Sequence, residues 1–257
     1  MIISPCILKQ SFDLFSFLFD FPKGIMKNED DRVTKFFFDT TDIDFQVCSP
    51  LQIEQLPLCQ ADICRLVGAP ARSRVVVEKI FIPRKLGEPE DEVLQISVFN
   101  DFLIQDAIVR HIIVENGEDV IFNKAMAFHP EFRGFKLGVR CFAIEVREAV
   151  RLGTFGHIKV LATGNAKSAS DRNDKYALSG HIIWPRLGFN GPIPYDVRKK
   201  LPEGLKWCKT ISNLMQLEDG IKFWDEHGDQ CLLEFSLDDG YSRNTLRSYL
   251  STQNIEV

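Results

Sequence analysis

Residues 125–153 read AMAFHPEFRGFKLGVRCFAIEVREAVRLG, and the fold turns on how this stretch is divided. Its first residues have the character of a strand end, and Leu137 to Leu152 has that of a helix. Between them lies a tight basic turn, Phe132-Arg133-Gly134-Phe135-Lys136-Leu137-Gly138. On a helical wheel Val139, Phe142, Ala143, Val146, Ala149 and Val150 fall on one side, and Arg140, Arg147, Glu148 and Arg151 fall opposite. That pattern describes a helix laid on a sheet. It predicts buried Val139, Phe142, Val146 and Val150, and exposed Arg140, Arg147 and Arg151. Gly153 suits the left-handed position after a helix, and Arg151 complements the negative end of the helix dipole. Strand, glycine-bearing turn and helix N-terminus together converge backbone N–H groups on one spot, which can hold a phosphate.

Working outward, the β-branched run Arg74–Ile82 reads as a strand ended by Pro83, and Val93–Phe99 alternates as a half-buried strand. Ile108–Val114 and Asp119–Phe128 form two more, joined by Asn116-Gly117, a favoured hairpin turn. Strands, then helix, then strand predict a mixed sheet with helix on one face. Lys35–Phe38 and Ile43–Val47 read as short strands, Leu51–Val67 as a helix, and Arg84–Glu92 as a charged loop. Thr163–Asp174 is polar and reads as a loop or lid. Beyond Pro194 the pattern gives helices over Leu205–Leu217 and Ile221–His227, a strand over Cys231–Leu237, and a helix over Ser242–Leu250 with Ser242 as N-cap.

The turn carries a resemblance. An Arg/Gln-x-x-Gly-x-Gly/Ala turn between strand and helix resembles the pyrophosphate loop of the GNAT superfamily of acyl-CoA-dependent N-acyltransferases. Arg133 and Gly138 meet the pattern, and Lys136 stands where the middle glycine is expected. His157–Ala162 looks like the next strand of that fold, and Trp184-Pro185-Arg186-Leu187-Gly188-Phe189 is similar to its closing Tyr-x-x-x-Gly-Phe. The resemblance spans roughly Arg74 to Pro194. It implies an α+β (α/β) fold: a mixed, mostly antiparallel twisted sheet flanked by helices. Residues 1–73 would be an N-terminal extension, 74–194 the core, and 195–257 a C-terminal α/β extension.

The resemblance also implies a ligand, acetyl-CoA or another acyl-CoA. Amides from Phe135, Lys136, Leu137, Gly138 and Val139 would hold its pyrophosphate, with Arg133 and Lys136 adding positive charge, Gly134 in the turn, and Gly138 letting the phosphate approach the first helical turn. Backbone near Ala127 and Phe128 would face the pantetheine, and Asn165 aligns on the cofactor side after the next strand. Acyl transfer to a small-molecule or protein amine needs a deprotonated nucleophile and a proton donor for the departing thiolate. Trp184 occupies the position where many members carry a donating tyrosine, and an indole N–H is no acid near neutral pH. Tyr176 and His181 are nearby substitutes, each equally readable as a loop or packing residue. His129 is readable as a substrate-orienting residue or as a strand-end histidine bonded to backbone. Glu115, Glu118 and Glu131 are candidate bases, or solvated surface carboxylates.

Composition bounds the rest. With 257 residues, 45% hydrophobic and 26% charged, the chain is an ordinary folded one. A net charge of −5 argues against general nucleic-acid binding. The seven cysteines (Cys6, Cys48, Cys59, Cys64, Cys141, Cys208, Cys231) are scattered, which fits buried thiols in a reducing cytoplasm rather than a zinc or disulfide framework. Ile2–Phe21 is rich in phenylalanine but interrupted by Lys9, Gln10, Asp13 and Asp20, so it is too polar to span a membrane. It reads either as a segment docking on a partner or membrane surface, or as a helix packed on its own domain. Trp207, Trp224 and Tyr241 read as core anchors, and the acidic stretch from Asp225 to Asp239 as a solvated face. Three functions remain open: an acyltransferase, a silent binding or structural module of the same fold, and a small-molecule binder using the turn for another phosphate.

Overall fold

A computed structural model of the chain describes residues 30–48, 58–82, 91–165 and 179–257. The loop reading of 84–90, most of the 163–174 loop, the Phe-rich N-terminus, Cys6, the start of the Leu51–Val67 helix and Tyr176 lie outside the described residues. The described residues form an α+β fold with one seven-stranded mixed sheet and eight α-helices. The strands are β1 (Asp44–Val47), β2 (Arg74–Ile82), β3 (Asp91–Phe99), β4 (Ile108–Glu115), β5 (Glu118–Ala125), β6 (Phe155–Ala162) and β7 (Cys231–Ser236), ordered in the sheet as in the chain. β1 runs parallel to β2 and β5 parallel to β6, and the other neighbours are antiparallel. Strands from the first and last parts of the sequence therefore belong to the same sheet as its middle.

The helices are α1 (Asp30–Phe37), α2 (Gln60–Leu66), α3 (Leu137–Leu152), α4 (Gly180–Arg186), α5 (Tyr195–Arg198), α6 (Ile211–Met215), α7 (Glu218–His227) and α8 (Gly240–Thr252). Asn116 (φ 53°) and Gly117 (φ 85°) both lie in the left-handed region, as a type I′ turn requires, so β4 and β5 pair from Glu115↔Glu118 onward. α3 has the bounds its periodicity predicts and ends on Gly153 at φ 65°. Phe142 is fully buried, with its ring centroid 5.5 Å from Trp184, 5.0 Å from Phe189 and 5.3 Å from Phe235. That cluster locks α3 and α4 onto β7. Gly68 (φ 59°) lets the end of α2 close on α3, because a Cβ there would stand 2.6 Å from both the carbonyl oxygen and the Sγ of Cys141.

Several expectations are corrected. Lys35–Phe37 is helical, because α1 presents Thr34 and Phe37 inward. Of the helix read over Leu51–Val67, the described part begins at Gln60, where Asp62 accepts from the Cys59 N–H at 3.1 Å. Asp91 and Glu92 extend β3, and β5 stops at Ala125, with Phe128 paired only as a single bridge to Ile104. The helix read over Leu205–Leu217 is a 3₁₀ turn, Glu203–Leu205, followed by α6. Asp239, not Ser242, caps α8, since Asp239 accepts from the Tyr241 N–H while buried Ser242 donates to Gly188 O. Cys48 and Cys59 are exposed. Trp207 is 59% exposed, so it is no core anchor, whereas Trp224 is fully buried.

The largest correction is to the faces of α3. Arg140 is 2% exposed and Val150 is 42% exposed, the reverse of the wheel. The wheel assumed water opposite the sheet, but α1, α2 and the C-terminal segment cover much of that side. Glu148 is buried there too, paired with Arg65 of α2 and Arg151. On the sheet side Arg110 and Glu145 form a buried ion pair at 3.3 Å, with Asn123 donating to Glu145 at 3.0 Å.

Candidate functional site

The turn is built in two steps. Pro130–Phe135 is a 3₁₀ turn containing Arg133 and Gly134, and Lys136 then takes up φ 54°, ψ 37° as the N-cap of α3. A glycine would take up this left-handed conformation at no steric cost. Lys136 adopts that conformation with its side chain led away from the loop: Nζ donates to Gln253 Oε1 at 2.9 Å and Gln253 O at 3.3 Å. Phe132 and Phe135 pack on Phe37, with centroids 6.3 and 5.4 Å away, which fixes the turn to α1. Arg140 holds it from below, donating to Phe135 O at 3.0 Å and to Thr34 Oγ1 at 2.6 Å.

Val139 and Arg140 both donate to Lys136 O, so the N–H groups of Leu137 and Gly138 are first-turn donors with no partner inside the helix. Gly138 faces β5's extension, since a Cβ there would lie 3.4 Å from the Met126 methyl and 3.9 Å from the Phe128 ring. The turn, the start of α3 and Phe128 are thus brought together.

The sheet opens at the same place. β5 and β6 pair only as far as Asn123↔Val160, although β5 runs on to Ala125 and β6 to Ala162. Lys124 is an extra residue between the pairs Arg110↔Asn123 and Val109↔Ala125, and such a bulge bends its strand. Past it, Ala127 O accepts from Gln105 N–H at 2.9 Å and His129 N–H donates to Leu103 O at 3.0 Å. Strand alternation then turns the N–H and C=O of Phe128 to the other side, where β6 no longer pairs with β5. The result is a notch between β5 and β6 with the N-terminus of α3 beside it.

The other sequence candidates are dispersed. Trp184 is packed in the Phe142 cluster and is a core residue. His181 has no exposed surface, and neither ring nitrogen has a hydrogen-bond partner among the described residues. Its backbone N–H reaches Thr163 O, just past β6, and its carbonyl accepts from Trp224 Nε1 at 2.7 Å. Burial pushes its imidazole below the ordinary histidine range, against the pull of Thr163, Asp229 and Asp225. His129 is half-buried beside the turn, and Asn165 is exposed after β6. Glu115 pairs with Lys159, and Glu131 is exposed with no cation partner among the described residues.

One titratable group escaped the sequence reading. His111 on β4 is buried on the sheet face opposite Arg110, and its Nε2 meets Gln95 Oε1 at 2.9 Å while Gln95 Nε2 donates to Glu78 Oε1 at 2.8 Å. Burial, with Lys124 adding to it, lowers its pKa to about 4. Its signal was present as strand alternation: a histidine beside Arg110 must face the other way.

A cleft of about 380 Å³ lies at the opposite end of α3, lined by Glu118, Asp119, Gly153, Asp238 and Arg243 among others. Its three carboxylates and the negative end of the helix dipole disfavour an anionic ligand there. Among the described residues no group of histidine, cysteine, aspartate and glutamate is arranged to hold a metal, and no helix is long and apolar enough to cross a membrane. Searched against protein families, curated proteins and solved structures, the chain finds no match in any of the three.

Proposed function

We propose that the chain is a diverged GNAT-like protein that binds acetyl-CoA or another acyl-CoA and transfers the acyl group to an amine, a small molecule or a protein side chain. The observation that carries this reading is the notch between β5 and β6. Two parallel strands joined across α3 part beyond Asn123↔Val160, and the N-terminus of α3 lies beside the opening. A pantetheine arm is an amide chain, and Phe128's unpaired backbone groups offer it strand-like hydrogen bonds. The first-turn amides of α3 favour the diphosphate at its other end. Phe135, Lys136, Leu137, Gly138 and Val139 would supply that cradle with Arg133 and Gly134, and Asn165 would close it from the β6 side.

Acyl transfer also requires a proton donor for the leaving thiolate. Trp184 is packed, and buried His181 meets no substrate in this arrangement. These two observations favour a second reading, a silent module of the same fold that binds acyl-CoA without turnover.

Calorimetric titration with acetyl-CoA separates them. The wild type should release heat at sub-millimolar ligand, and Gly138→Glu should abolish it. The new carboxylate would crowd Met126 and Phe128 and meet the pyrophosphate as a like charge. Thiol release across a panel of amines then distinguishes transfer from silent binding. No heat at millimolar acetyl-CoA from folded wild type would end both readings.

A further inference from the structure

Residues 193–210 make a surface that the acyl-CoA reading does not use. Two arms of chain are tied together by the Pro192↔Thr210 bridge and by Ile193 N–H donating to Lys209 O at 3.3 Å. Val197, Leu201, Leu205 and Cys208 are buried beneath them, so the arms have a rigid apolar base. From that base Tyr195 and Trp207 project outward, 73% and 59% exposed, each two residues from the Ile193–Lys209 bond. Around them stand Arg198, Lys199, Lys200, Lys206 and Lys209, all exposed. Lys199 and Lys206 are paired with Asp196 and Glu203, while the side chains of Arg198, Lys200 and Lys209 have no partner among the described residues.

We propose that this surface docks on an anionic lipid bilayer, with Trp207 and Tyr195 at the depth of the headgroups and the surrounding cations against lipid phosphate and carboxylate. A single exposed tryptophan needs no explanation. Two exposed aromatics on one buried base, in a segment whose five exposed cations outnumber the paired Asp196 and Glu203 while the whole chain carries −5, do. Trp and Tyr are the side chains that favour the membrane–water interface, and basic residues near it are drawn to anionic lipid. With a net charge of −5 the chain as a whole is repelled by an anionic surface, so attraction has to come from a local cluster of cations such as this one. A single-stranded nucleic acid is the competing anion, but it needs open ring faces for stacking. Lys199 Nζ lies 4.0 Å from the Tyr195 ring centroid and already covers one face of it.

The full chain, mixed with vesicles of phosphatidylcholine alone or with phosphatidylserine, provides the test. It should sediment with the phosphatidylserine vesicles and be released by high salt. Trp184 and Trp224 are buried, so a blue shift of tryptophan emission on binding reports Trp207. Lys206→Glu/Lys209→Glu should weaken binding by about fivefold for each cation lost, or more. Trp207→Ala should remove the blue shift and weaken binding, with unchanged circular dichroism in both variants. No sedimentation with phosphatidylserine vesicles, or equal sedimentation of wild type and both variants, overturns the proposal. Binding to oligo(dT) that is tighter than to vesicles and depends on Trp207 also overturns it, and assigns the surface to nucleic acid.

Discussion

Lys136 at the mouth of α3 and Gln253 at the end of α8 are joined by two hydrogen bonds, of 2.9 and 3.3 Å, across 117 residues. The lysine thus neither fills the notch nor reaches toward a phosphate at it. In Lys136→Gly two effects oppose: relief of the left-handed conformation, worth about 1 kcal/mol, and loss of the charge-assisted bonds, worth roughly 1–3 kcal/mol. We expect a net loss of about 1 kcal/mol in urea unfolding. Acetyl-CoA affinity should change by less than about threefold; a tenfold gain would mean that Lys136 obstructs the site after all.

Phe142→Ala should cost about 3–5 kcal/mol, because the aromatic cluster that joins α3, α4 and β7 loses its centre. Denaturant unfolding measures it. A cost below about 1 kcal/mol would contradict the packing of α3 described above.

Gly68 and Gly117 both have positive φ, but only one is crowded. Gly117→Ala meets nothing within 4 Å and should cost only the left-handed strain, about 1–2 kcal/mol. Gly68→Ala adds a collision with the Cys141 backbone, which raises the expected cost to about 2–5 kcal/mol. Equal costs in thermal or urea unfolding would show that α2 does not close on α3 so tightly.

His111 titrates at about 4 in the fold, below its ordinary value of 6.5. A depressed histidine pKa means that the unfolded chain takes up the proton first. The stabilisation is therefore complete above pH 6.5 and is lost as the pH falls toward 4. Unfolding free energies of wild type and His111→Gln, measured from pH 7.5 to 4, should diverge in that window. Parallel curves would refute the assignment.

The bounds of α3, the hairpin and six of the seven strands were legible because each depends on local chemistry, and β6 came from the resemblance. Gly153 ends a helix wherever it stands, and Asn116-Gly117 turns a chain by its own dihedral preferences. What was not legible depends on distant segments. Arg140 looked solvated because the wheel knows nothing of Thr34 and Glu256, which lie over it. Trp207 looked like core because hydrophobicity does not say which side of a turn faces inward. In the candidate site the same division holds. Gly138 and the turn were readable as a motif, whereas the notch needs the register of β5 against β6, and the packing of Trp184 and His181 needs α7 and β7.

The clasp beneath the turn has a consequence for the order of events. Arg140 bonds to Thr34 Oγ1, and Thr34 in turn donates to Glu256 O, 222 residues further along. During synthesis the hairpin and α3 can form as soon as they emerge, since their contacts are local. The mouth of α3, by contrast, stays unlatched until residue 256 has emerged, so the turn is among the last parts of the described chain to be completed, however early its helix forms.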